Sequence, residues 1–129
     1  MPVAISCVTL PVDDLQKSLS FYQNVMGFSP DEQDEDHAAF DVDGVYLVLL
    51  NRGDFSVYVE GVGHRPAARG QSESILSHFA ETTGEVDALI AKAKGAGAAV
   101  SEAEDDDGVY SGSFTDPDGH VWEVLYDAA

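Results

Sequence analysis

Two side chains that can transfer protons near neutral pH, His78 and Glu123, lie in segments of this 129-residue sequence that alternate as strands do. A carboxyl group in an apolar site has its neutral form favoured, so its pKa can approach neutrality. Such a group beside a histidine is suited to general acid–base catalysis. The sequence has no glycine-rich phosphate loop, no Gly-x-Ser-x-Gly elbow, no Cys-x-x-Cys pair and no His-Glu-x-x-His helix. Its chemistry therefore depends on single side chains that the fold brings together.

The first half of the sequence predicts a strand, a helix and three further strands. Residues 5–12 alternate as a half-buried strand, and Asp13 or Asp14 can cap a helix that Gly27 ends. That helix carries apolar residues at near-helical spacing: Leu15, Leu19, Tyr22 and Met26. The three strands are predicted at 37–42, 45–51 and 55–60, and an Asp43-Gly44 turn joins the first two.

The second half repeats this order after an irregular linker at 61–74 that is rich in glycine. A strand is predicted at 75–81 and a helix at 84–96, with Val86, Leu89, Ile90 and Ala93 in one stripe. Three strands follow at 99–103, 109–115 and 120–126, and Asp116-Pro-Asp-Gly119 has the residue types of a tight turn. Two acidic runs, 31–36 and 102–107, are predicted to be loops between strands.

The register of the repeat identifies equivalent positions in the two halves. Aligning Asp43-Gly44 with Asp118-Gly119 sets Val48 opposite Glu123. Counting back eight residues from the first apolar residue of each helix sets Cys7 opposite His78.

Alternation then predicts where these side chains point. In the first strand Cys7 and Thr9 face away from the helix, and Glu123 does so in the last strand. Cys7, Val48, His78 and Glu123 are therefore expected to converge in a pocket on the concave face of the sheet. Tyr110 or Ser111, on the neighbouring strand, is expected to donate a hydrogen bond to a substrate oxygen there. His37, His64 and His120 have no partner at a recognisable spacing and are expected to be surface or packing residues.

The sequence resembles the vicinal oxygen chelate superfamily, which includes glyoxalase I, bleomycin-resistance proteins and extradiol dioxygenases. Two segments carry the resemblance: Leu-Pro-Val-Asp-Asp-Leu-Gln-Lys-Ser-Leu-Ser-Phe-Tyr at 10–22, running into Val-Met-Gly-Phe at 25–28, and Ser-Phe-Thr-Asp-Pro-Asp-Gly-His-Val-Trp-Glu-Val-Leu at 113–125. The sequence looks closest to the branch of predicted lactoylglutathione lyases. The implied fold is α+β: two tandem βαβββ modules form a cup-shaped, incomplete eight-stranded barrel with the helices on its convex side. The whole chain, 1–129, is then one domain with modules at 1–60 and 75–129.

The resemblance also implies a metal site. In metal-dependent members the four inward positions typically carry histidine and glutamate, which suit a divalent ion. His78 and Glu123 match that pattern, Cys7 replaces a histidine, and Val48 replaces an acidic ligand with a side chain that has no donor atom. A divalent metal held by Cys7, His78 and Glu123 is the implied cofactor, with the set incomplete at Val48.

Composition excludes other classes. With 24 acidic and six basic residues the formal charge is −18, which opposes binding to nucleic acid. The same charge has two other meanings: it attracts cationic ligands, or it simply hydrates the surface and favours solubility, and the second is the more common. No apolar stretch is long enough to cross a bilayer, the only cysteine cannot form an internal disulfide, and the N-terminal residues lack a leader pattern, so a cytoplasmic protein is expected.

Two functions are consistent with the sequence, and a third class, a structural or interaction module, would leave the inward polar residues unexplained. The first is a lyase or isomerase acting on an oxygenated metabolite, such as the thiol adduct of a 2-oxoaldehyde, with His78 and Glu123 as its catalytic residues. The alternative is a non-catalytic protein that sequesters a drug or metabolite. The resemblance further implies a homodimer.

Overall fold

The computed structural model describes residues 2–128 and divides into two compact units, Met1–Arg69 and Gly70–Ala129. We call these units module one and module two. The elements of module one are β1 (Cys7–Val12), α1 (Leu15–Met26), β2 (Glu32–Gln33), β3 (His37–Val42), β4 (Val45–Asn51) and α2 (Arg52–Glu60). Those of module two are β5 (Ile75–Phe79), α3 (Thr83–Gly95), β6 (Val100–Asp106), β7 (Val109–Thr115) and β8 (Val121–Asp127). No helix within residues 2–128 is long and apolar enough to cross a membrane.

Module one is a four-stranded mixed sheet with α1 packed on one face. Its strand order is β1-β4-β3-β2, with β1 parallel to β4 and the other pairs antiparallel. The Asp14 side chain caps α1 by accepting the backbone N–H of Lys17, and Gly27 ends the helix in the left-handed conformation. The buried side chains of α1 join those of β1, β3 and β4 in the core: Leu19, Tyr22, Val25, Val12, Phe40 and Leu49.

Module two has the same plan. Its strand order is β5-β8-β7-β6, with β5 parallel to β8. The Thr82 side chain caps α3 by accepting the backbone N–H of Glu85. The core lies between α3 and the sheet and contains Val86, Ile90, Ala93, Phe114, Trp122 and Val124.

The predicted α+β class and the order of the two βαβββ modules are confirmed. Each sheet is open, because none of the described strands closes it into a barrel. The Asp43-Gly44 turn has positive φ at both residues, as a two-residue hairpin requires. The residues at 61–74 contain neither helix nor strand, as predicted, and the boundary between the units lies among them.

One predicted strand is wrong: residues 55–60 belong to α2. The apolar residues Phe55, Val57 and Val59 alternate as in a strand, but Asn51 at the end of β4 acts as a helix cap and accepts the backbone N–H of Asp54 at 2.8 Å. No residue of α2 is buried, so the alternating side chains have no sheet face to cover. Local capping therefore decided the conformation of this segment.

The acidic runs are also not simple loops. The first contains β2, and most of the second lies in β6, which turns into β7 at Asp107-Gly108. Both β2 and β6 are edge strands of their sheets. Charged side chains are common on edge strands, where they discourage pairing with other chains.

Candidate functional site

One row of side chains crosses the middle of each sheet on the face opposite the helix. The row in module one consists of Thr9, Val48 and Ala39, and the row in module two consists of Ser77, Glu123 and Ser113. We call these the central rows. Val48 and Glu123 thus occupy equivalent positions, as the register of the repeat predicted.

A cleft of about 450 Å³ opens over the central row of module one. Ala39 and Val48 form an apolar floor, which Cys7 and Tyr46 extend along β1 and β4. The remaining lining residues are Ser6, Asp31, Glu32 and His37. The predicted pocket residues Cys7 and Val48 therefore line one cleft, while Thr9 lies beside Val48 and its Oγ1 is 3.6 Å from Cys7 Sγ.

His37 stands in the wall of this cleft between two carboxylates. Its Nδ1 is 2.9 Å from Asp34 Oδ1 and its Nε2 is 3.2 Å from Glu32 Oε1. Burial alone would lower the pKa of His37, but the hydrogen bonds and charges of Asp34 and Glu32 outweigh burial, and the pKa is raised. When protonated, the ring donates to both carboxylates. The prediction that His37 lacks a partner was wrong because its partners lie in the acidic run that was interpreted as a loop.

Asp34 is itself held in place by the backbone. Its carboxylate accepts the N–H groups of Asp36 at 2.8 Å and of His37 at 3.0 Å. These two bonds, followed by the hydrogen bond from the His37 ring, lower the pKa of Asp34. The cluster therefore keeps a fixed negative charge beside the imidazole.

In module two the partner of Glu123 is Ser77, not His78. The β5–β8 register pairs Ser77 with Glu123 and His78 with Val124, and Ser77 Oγ donates to Glu123 Oε1 at 3.1 Å. Because side chains alternate along a strand, His78 lies on the helix face of the sheet, with Leu76 and Val124. The prediction that His78 shares a pocket face with Glu123 was wrong by one residue.

His78 instead connects β5 to α3. Its Nε2 is 2.7 Å from Glu85 Oε1, and Glu85 Oε2 accepts the backbone N–H of Glu81. The hydrogen bond from His78, followed by that from Glu81, lowers the pKa of Glu85. His78 and Glu85 together stabilise the start of α3, where the helix dipole also favours a negative charge.

Tyr110 also lies on the helix face. It pairs with Tyr126, and its hydroxyl donates to Asp87 Oδ1 of α3, a bond that raises the pKa of Tyr110. The prediction that Tyr110 faces the pocket was therefore wrong. Ser111 and Ser113 are the β7 serines, and they share the face of Glu123.

Residues 4–124 match the Glyoxalase/Bleomycin resistance protein/Dioxygenase superfamily. The chain belongs to this superfamily. The predicted resemblance is thus confirmed. A curated member, the metallothiol transferase FosB of Lysinibacillus sphaericus, is 28% identical over 120 residues, which cover 93% of this chain and 79% of FosB.

Solved structures of the superfamily agree with this assignment. A glyoxalase-related enzyme from Fulvimarina pelagi has a TM-score of 0.83 at 25% identity, covering 96% of this chain and 88% of the enzyme. Lactoylglutathione lyase from Agrobacterium tumefaciens has a TM-score of 0.75 at 25% identity, and the match covers 98% of this chain and 95% of the lyase.

The divalent metal that the superfamily implies does not fit this chain. Val48 offers no donor atom, and His78 points away from the face that carries Glu123. Only Cys7 and Glu123 remain of the four predicted positions, fewer than the three protein ligands of a catalytic zinc. Within residues 2–128 no group of three or more histidine, cysteine, aspartate or glutamate side chains could hold a metal ion.

Proposed function

We propose that this protein binds a small organic cation in the cleft of module one and needs no metal to do so. The observation that supports the proposal is the cleft itself: it is about 450 Å³ in volume, has an apolar floor, and carries Val48 at the position of a metal ligand. Ligand pockets of this size are typically apolar with a few polar groups that set orientation.

The charge of the lining favours a cation. Asp31 and Glu32 stand in the cleft wall, and the chain as a whole has a formal charge of −18. Tyr46, which is 44% exposed, offers a ring face of the kind that attracts cations. The expected ligand is therefore an ammonium or related cation with an apolar or aromatic part that contacts Ala39 and Val48.

Titration calorimetry with benzyltrimethylammonium tests this proposal, with benzyl alcohol as the neutral compound carrying the same ring. The cation should bind in the cleft, and its Kd should rise several-fold between about 0.05 M and about 0.5 M salt because exposed charges are screened. Equal affinity for the alcohol, or binding that does not respond to salt, would contradict the cationic assignment.

A second candidate is a lyase or isomerase that uses Glu123. Ser77 Oγ donates to Glu123 Oε1, so one carboxylate oxygen is fixed while the other remains able to accept a proton from a substrate carbon. The 25% sequence identity between this chain and the Agrobacterium lyase supports testing this activity. Hemithioacetal turnover that Glu123→Gln abolishes would establish it, and no turnover with or without added nickel, zinc, cobalt or manganese would rule it out.

We also propose that two copies form a homodimer. Ile75 and Phe79 of β5 are 66% and 74% exposed, and β5 is an edge strand. Exposed apolar side chains and an open strand edge are therefore both available for pairing with a second copy. Light scattering should give twice the chain mass, and a mass near 13.7 kDa would contradict the dimer.

A further inference from the structure

The wall of the module-one cleft contains a group that can change its charge near neutral pH. His37 lines the cleft and lies between Glu32, which also lines it, and Asp34, which anchors the other ring nitrogen. A protonated His37 neutralises part of the negative charge that the proposed cationic ligand would use. The proton and the ligand therefore both act on the charge of Glu32.

The elements around His37 contribute other titratable groups near its ring. From β2 comes Glu32, from the turn before β3 comes Asp34, and Asp31 lies just before β2. From β4 and β1 come Tyr46 and Cys7.

The other carboxylates near this wall have bonds of their own. Asp36 accepts from the Asn51 side chain at 2.9 Å, and Asp41 accepts the backbone N–H of Gly44. Among the described residues that line the cleft, His37 is the one side chain that can become cationic.

We infer that His37 makes the cleft pH-sensitive, so that its protonation competes with a bound organic cation and acidification releases the ligand. This inference rests on the proposed function. Below the pKa of His37 the imidazolium donates to both Glu32 and Asp34; above it, the neutral ring donates to only one of them, and its positive charge no longer opposes the ligand. Because the pKa of His37 is raised in the free protein, the loss of affinity on acidification begins above the ordinary histidine value of 6.5.

Linkage makes the effect reciprocal. A ligand that binds the neutral-imidazole form more tightly must raise the acid dissociation constant of His37 by the same factor, and its pKa falls accordingly. Binding near the pKa should therefore release a fraction of a proton for each ligand bound. That release is measurable without any variant, by calorimetry in buffers that differ in ionisation enthalpy.

The experiment measures the Kd of benzyltrimethylammonium between about pH 5.5 and about pH 8.5, a range in which this quaternary cation does not titrate. The wild-type protein should bind about fivefold to tenfold more tightly at the alkaline end and release protons on binding. His37→Gln should give a flat profile with no proton release. The matched control His64→Gln, at an exposed linker histidine, should keep the wild-type profile.

The outcomes separate the two proposals. A wild-type Kd that is the same across the range, or a pH response that persists in His37→Gln, overturns the pH inference and leaves ligand binding intact. Absence of binding at every pH overturns the proposed function, and the inference with it. Nuclear magnetic resonance titration of the His37 ring, with and without saturating cation, checks the same point directly: the pKa should fall when the cation is bound.

Discussion

The two modules share a backbone plan but place different chemistry on it. The central row of module one is nearly apolar, and that of module two carries a carboxylate between two serines. Above the first row is a cleft with charged walls. A duplicated fold can thus keep its register while one half forms a cleft with an apolar floor and the other carries a single carboxylate.

The histidines of the two modules differ in the same way. His37 joins neighbouring segments of one sheet and lines the cleft, whereas His78 joins a strand to the helix that covers it. Each ring has a carboxylate partner, but only His37 is positioned to alter the charge that a ligand in the cleft meets. Position relative to the sheet face, not residue type, decides which histidine lines the cleft and which one supports the helix.

Filling one central row tests the comparison most severely. Val48→Trp should weaken binding of benzyltrimethylammonium by about 30-fold or more, equivalent to about 2 kcal/mol, because the larger ring occupies the floor of the cleft. Glu123→Val, at the equivalent position of module two, should leave the Kd unchanged. Calorimetry on both variants decides the matter, with Val57→Trp on the exposed surface of α2 as a control for the added ring. Loss of binding in Glu123→Val would place the ligand at module two and contradict its assignment to the cleft of module one.

A second prediction compares Gly112 of module two with Ala38, its equivalent in module one. Gly112 pairs with Val124 as Ala38 pairs with Leu49, but a Cβ at Gly112 would lie 2.9 Å from the carbonyl oxygen of Ser101. Gly112→Ala should therefore lower the free energy of unfolding by about 1 to 3 kcal/mol through overpacking. Urea denaturation followed by circular dichroism measures this. An unchanged midpoint would mean that β6 moves away freely at its bulge.

The smallest expected effect is on the pH dependence of stability. The pKa of Glu85 is lowered in the folded protein, so its stabilising contribution is present above its unfolded value and is lost as the pH falls through the folded value. Glu85→Gln should lower Tm at neutral pH, and the difference from wild type should shrink below about pH 4. A Tm difference that stays constant to acidic pH would show that the effect is steric.

Much of the fold follows from the sequence because its signals are local. Asp14 and Gly27 bound α1, the Asp43-Gly44 turn fixes a hairpin, and the turn ending at Gly119 sets the register of β8. These signals depend on capping and on positive φ, which single residue types reveal. The equivalence of Val48 and Glu123 followed from them.

The site was harder to predict, because an error of one residue in the register of a strand moves each of its side chains to the other face of the sheet. Counting from the first apolar residue of each helix paired Cys7 with His78, but the helices begin at their caps. Thr9 and Ser77 each lie five residues before their cap, Asp14 and Thr82, and this count gives the observed partners of Val48 and Glu123. The caps were a readable signal that the apolar pattern obscured.

The cleft wall depended on a different signal. Glu32, Asp34 and His37 come together because an acidic segment adds a short edge strand to the sheet. Strand propensity is low in such a segment, and only its pairing with β3 orders it. Pairing with β3 therefore makes a strand of a segment whose composition predicts a loop.

The central claim is that the module-one cleft binds an organic cation without a metal, and calorimetry on EDTA-treated protein tests it most directly. The protein should bind one benzyltrimethylammonium per chain, with the same Kd after zinc, nickel or manganese is added back. Binding that appears only after a metal is restored would contradict this claim.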